Sequence, residues 1–211
     1  MTNFIPIFPL EIVVYPDENL NLHIFEPRYK QLIKDCKASN KPFGIPAVVE
    51  GKLMEMGTLV ELTEISQEYE DGKMDVKTKG IKVFRILEIV KEIPGKLYSG
   101  SIVNYPANID TGSQAIMQHV VTAMHALHKI LNIKKDFKKS DQELRSYDMA
   151  HHLGLSLSEE YELLELMHEL QRQEYLKRHI KRILSIITEV ENLKARVQLN
   201  GHFKNLNGFD L

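Results

Sequence analysis

Two hydrophobic periodicities divide this chain. Between Phe4 and Val103 apolar residues come in short runs with a period near two, separated by turn residues; from Ser113 onward they return every three to four positions. In the opening stretch Pro6, Pro9 and Pro16 lack the N–H that a helix ladder needs, so Phe4–Leu10 and Ile12–Tyr15 are expected to be extended. Pro16-Asp17-Glu18-Asn19 reads as a turn. Leu20, Leu22 and Ile24 then alternate with Asn21 and His23, which predicts a half-buried strand with the apolar residues inward. Pro27 suits a first helical position and keeps Glu26 extended. Tyr29, Leu32, Ile33 and Cys36 form the apolar stripe of the helix it starts, and Asn40-Lys41-Pro42 ends it. Phe43–Val49, Gly57–Ile65, Asp75–Val90 and Leu97–Val103 read as four more strands, the second with a bulge where Leu59, Leu62 and Ile65 fall out of step. Glu50-Gly51-Lys52 and Asp71-Gly72-Lys73 supply hairpin turns. This many short strands predicts a small closed or half-open barrel.

Tyr105–Gly112 is a linker by composition, and the pattern after it is helical. Met117, Val120, Val121, Met124, Leu127 and Leu131 share one face; 133–141 reads as a lysine-rich loop; Glu143–Leu153 reads as a short helix closed by Gly154. Ser156 and Glu159 make a capping box for a helical stretch that continues to about Val197, with a break expected between Met167 and Arg172. Along it Leu176, Ile180, Ile183, Ile187 and Val190 lie on one side. The reading is therefore an α+β chain: a β-rich barrel over 1–106, a helical subdomain over 107–198 with a long terminal helix, and a polar, flexible tail over 199–211.

Composition narrows the function. The 211 residues carry 27 basic and 29 acidic side chains, a net charge of −2, with neither half a basic arm, which weighs against nucleic acid as a partner. A lone cysteine, Cys36, excludes an intrachain disulfide framework and fits a reducing, cytoplasmic setting; its place in an apolar stripe makes it a buried structural thiol rather than a nucleophile. The first residues lack a signal-peptide pattern, and no apolar run reaches the ~20 residues of a membrane span.

Candidate chemistry is sparse. Gly95-Lys96 lacks the rest of a phosphate-binding loop, and Gly51 and Gly57 do not make a dinucleotide fingerprint, so no nucleotide cofactor is expected. Glu165-Leu166-Met167-His168 has the spacing of one arm of a di-iron site, but a second such pair is missing, and the adjacent His151 and His152 diverge on a helix; no metal is expected. Ser99-Gly100-Ser101 lacks the turn pattern of a serine nucleophile, so no catalytic residue is assigned. Lys177-Arg178-His179-Ile180-Lys181-Arg182 is a basic cluster, read first as a solvated helix face.

The run Leu20-Asn21-Leu22-His23-Ile24-Phe25-Glu26-Pro27-Arg28-Tyr29 resembles the signature of the Lon protease N-terminal, substrate-binding domain. Phe8-Pro9-Leu10 and Val13-Val14-Tyr15-Pro16 precede it, and Phe43-Gly44-Ile45, Gly57-Thr58, Asp71-Gly72-Lys73, Lys79-Gly80 and Phe84-Arg85-Ile86 follow in the family's order; Val83 departs from the arginine common there. The resemblance implies a PUA-like pseudo-barrel followed by a helical bundle. It implies a non-catalytic module that binds unfolded or damaged polypeptides or a protease partner, an adaptor or regulator of ATP-dependent proteolysis. The ATPase and Ser–Lys protease domains have no counterpart in these residues, so none of the family's catalytic residues is carried over. Phe25, Glu26, Arg28 and Tyr29 become the expected polypeptide-binding residues, with Pro27 fixing the strand-to-helix joint. Lys177, Arg178, Lys181 and Arg182 form the surface of the alternative reading, an RNA-binding PUA-like protein.

Overall fold

The computed structural model describes residues 3–135 and 137–204, with side chains to 198. Six strands form one antiparallel sheet: β1 Asn3–Pro6, β2 Asn19–Ile24, β3 Phe43–Val49, β4 Lys52–Glu68, β5 Met74–Val90 and β6 Gly100–Asn104. Their order is β1-β6-β5-β4-β3, with β2 added against the first half of β5. The long strand β4 serves two neighbours and β5 three, and three register shifts between them, at Leu59/Val60, Leu62/Glu64 and Ile65/Gln67, give the curl. The expected bulge in β4 is thus present, and it is one of several. Closure comes from the proline-rich segment after β1. Ile7 and Leu10 bridge Gly44 and Ala47 of β3, with Phe8 N–H on the Gly44 carbonyl at 2.8 Å and Val48 N–H on the Leu10 carbonyl at 2.8 Å. The sheet's two ends therefore meet, as a pseudo-barrel requires.

Local chemistry sets the turns. Glu50 and Gly51 both have positive φ, the two-residue turn that matches strand twist between β3 and β4. Gly80 is required for a different reason. It donates to the Glu18 carbonyl at 2.8 Å and accepts from Asp17 N–H at 3.0 Å, and a methyl placed there would run into the Tyr15 carbonyl oxygen. Gly80→Ala is expected to lower stability by about 2 kcal/mol, read as a shift of the urea midpoint without change of slope.

The helices are α1 Pro27–Ser39, α2 Gln114–Ile130, α3 Ser146–Met149 with a 3₁₀ turn at Ala150–His152, α4 Leu157–Glu165 and α5 Glu169–Lys204. α1 covers one mouth of the barrel with Tyr29, Leu32, Ile33 and Cys36, the stripe expected from spacing. Four expectations are corrected. Glu143 is outside α3, because its carboxylate closes a turn onto the Ser140 N–H and hydroxyl at 3.0 and 2.7 Å. Leu97–Ser99 is outside β6; Leu97 is exposed and its N–H goes to Gln31 Oε1 at 2.7 Å. Leu131 caps α2 and is exposed rather than on its buried face. α5 continues to Lys204, past the start of the expected tail, of which 205–211 lie outside the described residues. The helical break falls at Leu166–His168, where the linker pairs with the freed backbone: Ile109 N–H meets the Met167 carbonyl at 2.7 Å and Glu169 N–H the Ile109 carbonyl at 2.8 Å.

The largest core cluster joins the two halves. Val13, Tyr15, Met56 and Val83 of the barrel pack with Met124, Leu153, Tyr161, Leu164 and Leu176 of the helices. Tyr15 is wholly buried in that seam; its hydroxyl donates to the Glu160 carbonyl at 2.9 Å and its ring stacks on Tyr147 at 4.8 Å. Tyr161 returns the contact, its hydroxyl accepting from Met56 N–H at 3.1 Å. Beside them His151 bridges Glu160 at 2.7 Å and Glu18 at 3.3 Å.

Candidate functional site

The joint between β2 and α1 is built by its sequence. β2 pairs with β5 in the register Leu22↔Val76, His23↔Asp75, Ile24↔Met74. Ile24 is the last inward residue; Phe25 follows beyond the strand and stays 58% exposed. Glu26 is extended, with φ −72 and ψ 136, as Pro27 demands, and α1 starts there. Arg28 reaches back, Nε and Nη2 both 2.8 Å from Glu26 Oε2, and its guanidinium lies 4.6 Å over the Tyr29 ring. Tyr29 itself is buried and stacks on Phe8 at 3.8 Å. Of the four residues singled out by sequence, Phe25, Glu26 and Arg28 therefore share one surface, while Tyr29 is the seat that fixes α1 to the barrel.

Two residues not singled out extend that surface. His23 lies 6.2 Å from the Phe25 ring and 5.9 Å, edge-on, from Tyr69 at the start of the β4–β5 loop. Asp75 ties both, accepting from Tyr69 Oη at 2.7 Å and meeting His23 Nδ1 at 2.6 Å. The imidazole first, then the phenol, hold the Asp75 carboxyl below the usual range. Lys30 Nζ donates to the Asp71 carbonyl at 2.9 Å and pins the loop to α1. A shallow depression of about 580 Å³ results, lined by His23, Tyr69, Glu70, Asp71 and Lys73. Exposed aromatic faces supply non-directional apolar contact, and the flanking carboxylates and carbonyls accept from N–H donors, which is the chemistry of an extended peptide ligand. His23 was legible as outward-facing, but its neighbour across the sheet was not.

The basic cluster of α5 does not form one face. Lys177 and Lys181 line a groove of about 610 Å³ against α2, beside His119 and Ala123, and Lys177 is held by Glu174 at 3.2 Å. Arg182 turns the other way and pairs with Glu159 of α4, and Arg178 is exposed. With two of four charges neutralised by neighbouring carboxylates, the arrangement does not favour a phosphate backbone.

Ionisable groups converge elsewhere, but for the fold. Glu169, at the floor of a cavity of about 600 Å³ between α2 and the linker, accepts from Ser146 N–H and Oγ, Gln173 Nε2 and Arg172, so its acceptor capacity is taken up within the chain. Cys36 is buried, and burial pushes its thiol up to about 11, away from nucleophilic range. His125 pairs with Asp141, His128 with the His152 carbonyl, and Glu165 ends α4 before His168 begins a different segment. Among the described residues no group of three or more His, Cys, Asp or Glu is arranged to hold a metal ion, and no described helix is long and apolar enough to cross a membrane.

The architecture recurs in solved structures. A Lon N-terminal domain protein from Xanthomonas campestris superposes with a TM-score of 0.63 at 23% identity, covering 82% of this chain and 96% of that one. The N-terminal domain of the Mycobacterium avium complex Lon protease gives a TM-score of 0.64 at 12% identity, covering 85% and 98%. At these identities they establish the shared fold. The sequence itself supplies the relationship: residues 5–182 match the family described as the ATP-dependent protease La (LON) substrate-binding domain, and the chain belongs to that family.

Proposed function

We propose that this chain is a non-catalytic module that binds unfolded or damaged polypeptide at the β2–α1 joint and serves ATP-dependent proteolysis as an adaptor or regulator. The observation that carries the reading is Phe25, a large aromatic side chain left 58% exposed beside His23, which in turn meets Tyr69, in the segment that resembles the family signature. Family membership supports polypeptide as the ligand class. Glu26 and Arg28, already paired, offer a polar edge of both signs without an unpaired charge to desolvate. The substrate contacts are Phe25, His23, Tyr69, Glu26 and Arg28, and Tyr29 holds them in place.

Fluorescence anisotropy with a labelled, permanently unfolded polypeptide tests this. Phe25→Ala is expected to weaken binding about 10-fold, the loss typical of an exposed aromatic anchor, while the thermal unfolding midpoint stays put because the ring is outside the core. Wild-type affinity in the variant would sink the site, and no binding by the intact chain would sink the function.

A further inference from the structure

α5 outruns the body it belongs to. Its 36 residues span about 54 Å at the helical rise. Leu176 and Ile180 are buried, Ile183 and Ile187 are partly covered, and the groove against α2 ends at Thr188 and Glu189. Beyond that point every side chain described, 189 to 198, is exposed. Yet the exposed stretch is not uniformly polar. Ile186 (50% exposed), Val190 (45%), Leu193 (61%) and Val197 (63%) continue the stripe begun by Ile183.

The spacing 183, 186, 190, 193, 197 alternates three and four, the heptad repeat of a coiled-coil seam. Ile183, Val190 and Val197 occupy one core position and Ile186 and Leu193 the other. In the part of the helix clear of the body, a β-branched residue at the first position, Val190, and leucine at the second, Leu193, suit two parallel strands. The flanks agree. In a parallel pair, the residue before each first core position faces the residue five places on in the other chain; here that couples Glu189 of one copy with Lys194 of the other, twice by symmetry. On the outer side stand Glu191, Asn192, Ala195 and Gln198. A helical overhang this short, without tertiary contacts, is marginal by itself in water.

We propose that the C-terminal half of α5 is a homodimerisation surface on which a second copy of this chain packs as a parallel two-stranded coiled coil, with Glu189 and Lys194 paired across it. The helix carries both halves of that charge complement at the required spacing, which is why a second copy is the occupant.

Sedimentation of the full chain is expected to show a dimer that dissociates in the micromolar range. Leu193→Glu should weaken it at least ~100-fold with the body's thermal transition unchanged, since the side chain is outside the core. Glu189→Lys should weaken it several-fold, and adding Lys194→Glu should restore it. Val197→Cys should form an interchain disulfide on mild oxidation, whereas Ala195→Cys, on the outer face, should not; Cys36 is buried and does not compete. A wild-type chain that stays monomeric at high micromolar concentration, or equal cross-linking at 195 and 197, would overturn the proposal.

Discussion

Arg172→Met is expected to lower the stability of the chain by about 4 kcal/mol, the largest effect of any single substitution considered, read from urea unfolding. Arg172 is 1% exposed and makes five hydrogen bonds. Its Nε goes to Ser146 Oγ and Glu169 Oε2, Nη1 to Asn108 Oδ1 at 2.8 Å and the Leu166 carbonyl at 2.7 Å, and Nη2 to Glu169 Oε2 at 2.9 Å. Its guanidinium also lies 4.2 Å over the Tyr147 ring. One side chain thus fastens the linker, α3, the α4–α5 joint and α5. Methionine fills much of the volume, so the loss is not chiefly a cavity. It leaves the Glu169 carboxylate buried with hydrogen bonds but no cation, and frees the Leu166 carbonyl at the break. Converting the carboxylate as well, in Arg172→Met/Glu169→Leu, should recover part of the loss, because the uncompensated charge is what hurts most. A single variant within about 1 kcal/mol of wild type, or a double variant worse than the sum of both singles, would contradict this account.

That network also marks where sequence stops being legible. α1 was readable because Pro27 and the 29-32-33-36 stripe are local signals, and the Ser156–Glu159 capping box was readable for the same reason; both are present as expected. The seven residues of Glu143–Leu153 that fail to form regular α-helix do so because Glu143 and Ser146 spend their polar groups on Ser140 and on Glu169, 23 residues away from Ser146. Arg172 read as one more charge on a helix; only folding places it inside. At the candidate site the difference is similar. Phe25, Glu26 and Arg28 were found through the motif, and Tyr29 with them, although its ring belongs to the core against Phe8. Tyr69 and Asp75 could not be found, because they join His23 through the β2–β5 register and a loop fold that no short-range pattern encodes. The stripe at 183–197 was visible in part as periodicity, but that its second half overhangs the body is a property of the packed structure.

His151→Ala is expected to cost about 3 kcal/mol near pH 6, and the deficit should shrink as the pH rises toward 10. The imidazole sits in the seam between barrel and helices, its Nδ1 on Glu160 at 2.7 Å and Nε2 on Glu18 at 3.3 Å, with the ring 5.0 Å from that of Tyr15. Burial works against its charge, but the hydrogen bonds it donates to the Glu160 and Glu18 carboxylates outweigh burial and lift its pKa from 6.5 to about 10. An unfolded chain releases that proton near 6.5, so the clamp contributes in full below 6.5 and is lost as the pH climbs through about 10. Solvent reaches a third of the side chain, which holds the contribution below what the shift alone would give. The test is the difference in unfolding free energy between wild type and His151→Ala at a series of pH values, which cancels titrations common to both. A difference that is flat from pH 6 to 10 would mean that His151 acts by packing on Tyr15 alone. A difference that grows with pH would mean that the imidazole is neutral in the fold, and that the two glutamates are kept apart by something other than its charge.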